Sequence, residues 1–309
     1  MNFNLACCKL CPHECGVNRE KGEQGVCKIS SDPLVASVVL HRGEEPIISG
    51  EDGICNVFFA HCNLSCVYCQ NFQISSNNSY SGQWLDSFDS IINSIVKILD
   101  NGINVLGLVS PSHQVPQMVT IVEMLASKGY HPVIVYNSNA YDSPKVLREL
   151  NGLVDIYLPD FKYYDNTLAR RYSNVENYRE VATLAIKEMI WQKGTSLQTN
   201  DLGIMCAGVI VRHLVLPGHA EDSINLLEYL EDEFSANLAL SLMSQYSPID
   251  NIAEKYKHLG RALKDDEYNS VTEKLAELGF YRGFIQDLSS KSYYIPDFTN
   301  ENPFDTVNR

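Results

Sequence analysis

An α/β fold built on an incomplete (β/α)6 TIM-like barrel, preceded by a small cysteine-rich segment, is the architecture this 309-residue sequence predicts. Three observations carry the prediction. Short apolar, β-branched runs alternate with amphipathic stretches through the middle of the chain, the pattern of repeated βα units around a parallel sheet. Six strand-sized runs emerge over about 200 residues, whereas a closed eight-unit barrel takes about 250. Polar groups follow the ends of five of these runs, where parallel barrels gather their chemistry.

The strand runs fall at 56–60, 104–109, 132–136, 154–158, 208–216 and 237–242. Between them helical periodicity is clearest at 87–99, 116–126, 178–191 and 221–234; Ile91, Ile92, Ile95, Ile98 and Leu99 share one face of the first. Asp86 or Ser87 caps that helix and Asn101-Gly102 closes it. The stretch 166–205 is too long for one crossover and predicts an extra helix before the fifth strand. From residue 262, ALKDDEYNSVTEKLAELG reads as one helix, and SYYIPDFTNENPF as an extended aromatic tail packed on the barrel. The expected division is a cysteine-rich metal-binding segment at 1–50, the barrel at 51–260, and the C-terminal helix and tail at 261–309.

With 45% hydrophobic residues the chain can bury a substantial core without disulfides, so its ten cysteines need another explanation. MNFNLACCKL has no apolar h-region, and the expectation is metal-bound thiolates in a reducing cytoplasm. The longest apolar runs, VASVVL and GVIVRHLVL, fall short of the ~20 residues of a membrane span. A formal charge of −14 argues against a nucleic-acid partner bound through its phosphates.

Cys62, Cys66 and Cys69, in CNLSCVYC, follow the apolar run NVFFAH. Three thiolates hold three corners of a cubane 4Fe-4S cluster and leave the fourth iron open to a ligand. A three-ligand zinc site and three buried free thiols are the alternatives. Cys8-x2-Cys11-x3-Cys15, with Cys27 further on, supplies four thiolates in a turn-rich segment. Four ligands leave no open position, so this group reads as structural zinc or an auxiliary cluster, with free thiols as the alternative. Cys7 is a possible substitute for Cys8, and Cys55 and Cys206 read as small core residues.

C-x3-C-x2-C with Tyr68 before the last cysteine resembles the signature of the radical S-adenosylmethionine (SAM) superfamily. HRGEEPIISGEDG, QNFQIS, VDIYLPDFKYYD, VRHLVLPG, LSLMSQYSP and CPHECGVNR extend the likeness over nearly the whole chain, to uncharacterised relatives of pyruvate formate-lyase activating enzyme. The resemblance implies a radical-SAM-type barrel in which Cys62, Cys66 and Cys69 ligate the cluster and its open iron binds SAM. Tyr68 would approach the adenine. Asp160 and Lys162 are similar to the Asp-x-Lys of glycyl-radical activases, where the Asp joins a monovalent cation site, and Arg212 to a SAM-holding arginine. Asn137-Ser138-Asn139-Ala140 stands in place of the activases' Asp-Thr-Asn-Gly, and Ser110-Pro111-Ser112 in place of Gly-Gly-Glu; Ser110, Ser112, Asn137 and Ser138 thereby become cofactor-binding candidates. Gln245 and Tyr246 align only roughly with the activases' strand-six histidine, and His113, His213 and His219 are candidate structural histidines.

The function these residues imply is reductive cleavage of SAM to a 5'-deoxyadenosyl radical that abstracts hydrogen from a protein substrate, with a flavodoxin- or ferredoxin-type electron donor. Radical chemistry on a small molecule or another protein side chain is the first alternative. A non-catalytic iron-sulfur or metal-binding redox protein is the second.

Overall fold

The computed structural model describes residues 3–77, 84–249, 251–288 and 295–304. The first part of the chain, up to residue 34, contains two single 3-10 turns, Leu5–Cys7 and Arg19–Lys21, capped by the side chains of Asn4 and Asn18. Strand β1 (Val35–His41) follows, and the turn of helix α1 (Pro46–Ser49) brings the chain back into β2 (Ile54–Phe59). The sequence then runs α2 (Phe72–Ser75), α3 (Phe88–Leu99), β3 (Val105–Val109), α4 (Val115–Ser127), β4 (Val133–Ser138), α5 (Pro144–Glu149) and β5 (Ile156–Pro159). After α6 (Asn166–Ser173), α7 (Tyr178–Lys193) and the short β6 (Gln198–Thr199) come β7 (Met205–Leu214), α8 (Ala220–Phe234) and β8 (Ala239–Met243). Helices α9 (Ile252–Lys255) and α10 (Asp265–Glu277) precede β9 (Gly283–Ile285).

The sheet order is β1-β2-β3-β4-β5-β7-β8-β9, with β6 attached to β7. From β2 to β9 along this path every pairing is parallel, as the βα alternation predicts. Each of the six expected strands is present, with its ends displaced by no more than three residues. The stretch 166–205 does carry an additional helix, α6, before α7.

Three strands lie outside the expectation, the two-residue β6 among them. β1 pairs antiparallel with β2, from Val35 opposite Phe59 to His41 opposite Ile54, so no βα alternation announces it. β9 is three residues long and approaches β8 at a glycine: a Cβ on Gly283 (φ +123°) would lie 1.8 Å from the Leu240 carbonyl oxygen. β1 and β9 are the two ends of the sheet, and among the described residues they do not pair with each other.

Amphipathic helices cover the outer face. In α3, Ile91, Ile92, Ile95 and Leu99 are buried, Ile98 only partly, and Ser87 Oγ accepts the Ser90 N–H as the N-cap. Along the strands alternate residues face the barrel interior. Its base is a dry layer in which Ile48 of α1 packs with Ile54, Val105, Val135, Ile156 and Ile210, so the turn between β1 and β2 stoppers the barrel from below. The C-terminal stretch 295–304 lies along the β1–β2 side, with Phe298 and Phe304 on Phe58 and Phe304 on His41. Residues 292–294 of the expected tail fall outside the described residues. No described helix is long and apolar enough to cross a membrane.

Candidate active site

The cysteine loop begins where β2 ends. His61 takes a left-handed conformation (φ +64°), and its N–H donates to the Ile74 carbonyl at 2.7 Å, which turns the chain into the loop. Asn77 then grips Cys62 by both backbone groups, accepting its N–H at 3.2 Å and donating to its carbonyl at 2.9 Å. The Val67 N–H donates to the Tyr172 carbonyl at 2.8 Å, tying the loop to α6.

Cys62, Cys66 and Cys69 all line one cavity of about 420 Å³. The Cys62 sulfur receives the Leu64 N–H at 3.3 Å and Asn139 Nδ2 at 3.4 Å, and the Ser173 hydroxyl lies 2.9 Å from the Cys66 sulfur. Such donors suit sulfur that carries negative charge, as a metal-bound thiolate does. Burial raises both thiols above the ordinary range, the neighbouring cysteines add to this at Cys62, and Lys162 opposes it at Cys66. Three soft ligands on one loop, beside an internal space of this size, fit a cluster with an open iron. Among the described residues no three His, Cys, Asp or Glu side chains converge on one point as a single ion requires; a cubane instead presents separate irons to separate thiolates.

Deeper in the cavity lies a buried ionic group. Arg212 donates from Nε to Asp160 Oδ1 at 2.8 Å and from Nη2 to Asn137 Oδ1 at 2.6 Å, and its Nη1 lies 3.3 Å from Glu44 Oε2. Lys162 Nζ takes the other Asp160 oxygen at 2.8 Å. Burial alone would raise the Asp160 carboxyl, but Arg212 and then Lys162 outweigh it and hold the group below its usual range. Both Asp160 oxygens are therefore engaged by cationic side chains, and the monovalent cation implied by the resemblance would face a carboxylate already paired twice. Asn56 Nδ2 anchors Glu44 at 2.9 Å. Glu45 is 8% exposed, and burial pushes its carboxyl up against the opposing pull of Arg212.

Tyr68, Ser110, Asn137, Ser138, Asp160, Lys162 and Arg212 line the same cavity as the three cysteines. Ser112 does not; it is 1% exposed and accepts the Tyr136 hydroxyl at 3.5 Å, because β3 has already turned away at Ser110 (φ +56°). Gln245 lines the cavity, whereas Tyr246 is buried beside it. His113, His213 and His219 each make a ring hydrogen bond: His113 to the Ala60 carbonyl, His213 to the Phe161 carbonyl and Ser223, His219 to Tyr172. Cys8, Cys11, Cys15 and Cys27 lie away from the cavity, the first two and the last buried, Cys15 partly so and Cys7 exposed. Cys55 is a core residue as expected. Cys206 is not: β6 pairs beside it, its thiol donates to the Gln198 carbonyl at 3.4 Å, and it is only half-buried.

Sequence reasoning assigned no role to His41, Glu44, Glu45 or Ser241, which also line the cavity. The signal was two adjacent carboxylates between Gly43 and Pro46 directly after a β-branched run. Such a pair usually sits in a solvated turn, and only the antiparallel return of β1 carries it into the barrel.

A sequence profile for the radical SAM superfamily matches residues 56–230, more than half of the chain. An uncharacterised protein of Methanocaldococcus jannaschii is 30% identical over 279 residues, covering 87% of this chain and 74% of that protein. Similar folds occur in crystal structures of HydG, a maturase of FeFe-hydrogenase (TM-score 0.51, 14% identity, 72% of this chain and 49% of that one), and of methylornithine synthase, PylB (TM-score 0.50, 13% identity, 84% and 79%). This chain thus spans about half the length of HydG, and at such identities the likeness is one of fold. With its cysteine loop opening on the barrel cavity and the profile covering that loop and the barrel as far as residue 230, the chain belongs to the radical SAM superfamily.

Proposed function

We propose that this radical SAM enzyme cleaves SAM reductively within the 420 Å³ cavity and uses the product radical to take hydrogen from a substrate held in the barrel. The observation that carries the reading is the opening of the three thiols of one loop onto the same cavity as the buried Arg212–Asp160–Lys162 group. When bound, cluster and SAM supply a one-electron reduction that breaks the sulfonium C5'–S bond, giving methionine and a 5'-deoxyadenosyl radical.

The protein's part is positioning and exclusion. Asn139, the Leu64 N–H and Ser173 hold the thiolate sulfurs from the protein side. Lys162 supplies positive charge near Cys66, favouring its thiolate form. Arg212 is locked by Asp160, Asn137 and Glu44 through one N–H on each nitrogen, so the second N–H of each terminal nitrogen is a fixed donor for a ligand carboxylate and needs no reorganisation on binding. Tyr68 packs edge-on with Tyr163 and Tyr172, an aromatic wall that keeps water from the radical.

For the substrate we infer hydrogen abstraction from a protein segment, as in glycyl-radical activation; the seam between β1 and β9, unpaired among the described residues, supports this by giving an extended segment a way in. Chemistry on a small molecule is the second reading, favoured by the stoppered base and the Glu44–Glu45 floor. Electrons come from another protein. Exposed Arg171 lies over the rings of Tyr172 and Tyr256, with Lys255 also at Tyr256, close to where Tyr172 holds the cysteine loop. That cationic patch suits an acidic donor of flavodoxin or ferredoxin type.

The test is anaerobic reconstitution followed by dithionite-dependent release of 5'-deoxyadenosine, with Cys66→Ala as control. Cluster-dependent release is expected; a protein that binds about four irons yet releases none would sink the reading. A glycyl radical signal on a candidate partner separates the two substrate classes.

A further inference from the structure

Outside the cavity, the most unusual group in the molecule is a fully buried arginine. Arg19 is 1% exposed, yet no carboxylate among the described residues pairs with it. Nη1 donates to the His113 carbonyl at 2.7 Å, Nη2 to the Cys27 sulfur at 3.2 Å, and Nε has no partner. A guanidinium cannot shed its proton, so a buried one needs an anion beside it. Neutral thiols do not meet that need. A metal held by four thiolates does, because such a centre carries net negative charge and accepts N–H donors at its sulfurs.

The backbone around the thiols is shaped for ligation. Glu14 (φ +41°) and Lys28 (φ +58°), next to Cys15 and Cys27, both occupy the left-handed region that side-chain-bearing residues avoid. The Cys8 N–H donates to the Val17 carbonyl and the Gly16 N–H to the Cys8 carbonyl, closing a turn between the first and third cysteines. A Cβ on Gly25 would lie 2.7 Å from the Cys15 sulfur, so glycine leaves that sulfur its place.

The segment is also wired to the cysteine loop. His13, between Cys11 and Cys15, meets the Asn63 carbonyl through Nε2 at 2.7 Å. Asn77 Nδ2 is shared between the Val26 carbonyl, beside Cys27, at 3.0 Å and the Cys62 carbonyl at 2.9 Å. Arg19 holds the His113 backbone, whose ring reaches the Ala60 carbonyl at 2.8 Å. Three separate bridges thus converge on residues 60–63, the chain that leads into the first loop cysteine.

We propose that Cys8, Cys11, Cys15 and Cys27 form a second, four-thiolate metal centre, balanced by Arg19, whose filling fixes residues 60–63 and so positions Cys62. Because no three side chains among the described residues stand at single-ion spacing, zinc would require these thiols to close around it, whereas a cubane takes separate thiolates on separate irons. Zinc and an iron-sulfur cluster share this ligand chemistry, and metal content tells them apart.

The experiment is metal and sulfide analysis of the full chain purified anaerobically, with the loop cysteines removed (Cys62→Ala, Cys66→Ala, Cys69→Ala). About one zinc, or about four irons with matching sulfide, per chain is expected and names the metal. Less than about a tenth of either would overturn the proposal. If that variant fails to fold, the reconstituted wild type decides: about four irons and no zinc overturns it, and any stoichiometric metal beyond those four upholds it. For the positioning role, Cys11→Ser should lower N-terminal metal and also shift the electron paramagnetic resonance signature of the loop cluster; an unchanged signature with the N-terminal metal gone would refute the coupling. Neither outcome depends on whether SAM is cleaved.

Discussion

The Arg212 guanidinium and the Asp160 carboxylate meet at 2.8 Å inside the barrel, with the side chain of one 13% and of the other 19% exposed. Breaking such a pair from one side leaves a charge without its partner. Arg212→Met is therefore expected to cost about 3 kcal/mol, because Glu44 loses its cation and Asp160 one of its two, keeping Lys162. Urea unfolding of the cluster-free protein measures it. A loss below about 1 kcal/mol would mean that water reaches the group as freely as it reaches a surface ion pair.

His213 gives a pH dependence of defined sign. Burial holds it neutral, outweighing the Phe161 carbonyl that accepts from Nδ1 and favours the protonated ring; Nε2 accepts from Ser223, and the pKa lies at about 4 against 6.5 when unperturbed. Between these values the unfolded chain binds the proton and the folded one does not, so stability is full above 6.5 and falls as the pH drops towards 4. Across that window the wild type should lose about 3 kcal/mol more than His213→Gln. Parallel urea titrations of the two proteins at several pH values cancel the contributions of other groups, and parallel curves would contradict the assignment.

Gly107 of β3 leaves room for the side chain that anchors Glu44. A Cβ there would sit 1.9 Å from Asn56 Oδ1. Gly107→Ala should displace Asn56 and destabilise the fold by about 1–3 kcal/mol. Gly102→Ala, with open space around its position, serves as a comparison in which only backbone strain acts. Equal losses from the two substitutions would show that crowding at Asn56 is not the cause.

Phe298 meets Phe58 edge-on, with ring centroids 5.3 Å apart, and its N–H donates to Gln73 Oε1 at 2.7 Å. Phe298→Ala should loosen the stretch 295–304 by about 1 kcal/mol while the barrel keeps its stability. Hydrogen exchange reads this locally. Protection lost evenly throughout the protein would indicate that the stretch is part of the global folding unit.

The parallel sheet was legible because each βα unit writes its own period: Ile91, Ile92 and Ile95 mark α3 without help from any distant residue. The three-cysteine loop was legible for the same reason, since its ligands lie within eight residues. β1 was hidden because an antiparallel edge strand leaves no mark on the alternation. With it went Glu44 and Glu45, whose place in the barrel depends on how β1 pairs. Ser112 shows the opposite limit: three residues beyond the end of β3, one left-handed residue, Ser110, decides whether a side chain faces the cavity or the helix layer.

The isoleucine stopper beneath the barrel has a kinetic consequence. A vessel corked at its base fills and empties only from above it, so reactants queue. Whatever enters first lies deepest and departs last. Initial-rate and product-inhibition measurements should therefore reveal a compulsory order of binding and release. Random-order kinetics would mean that the Ile48 plug leaks.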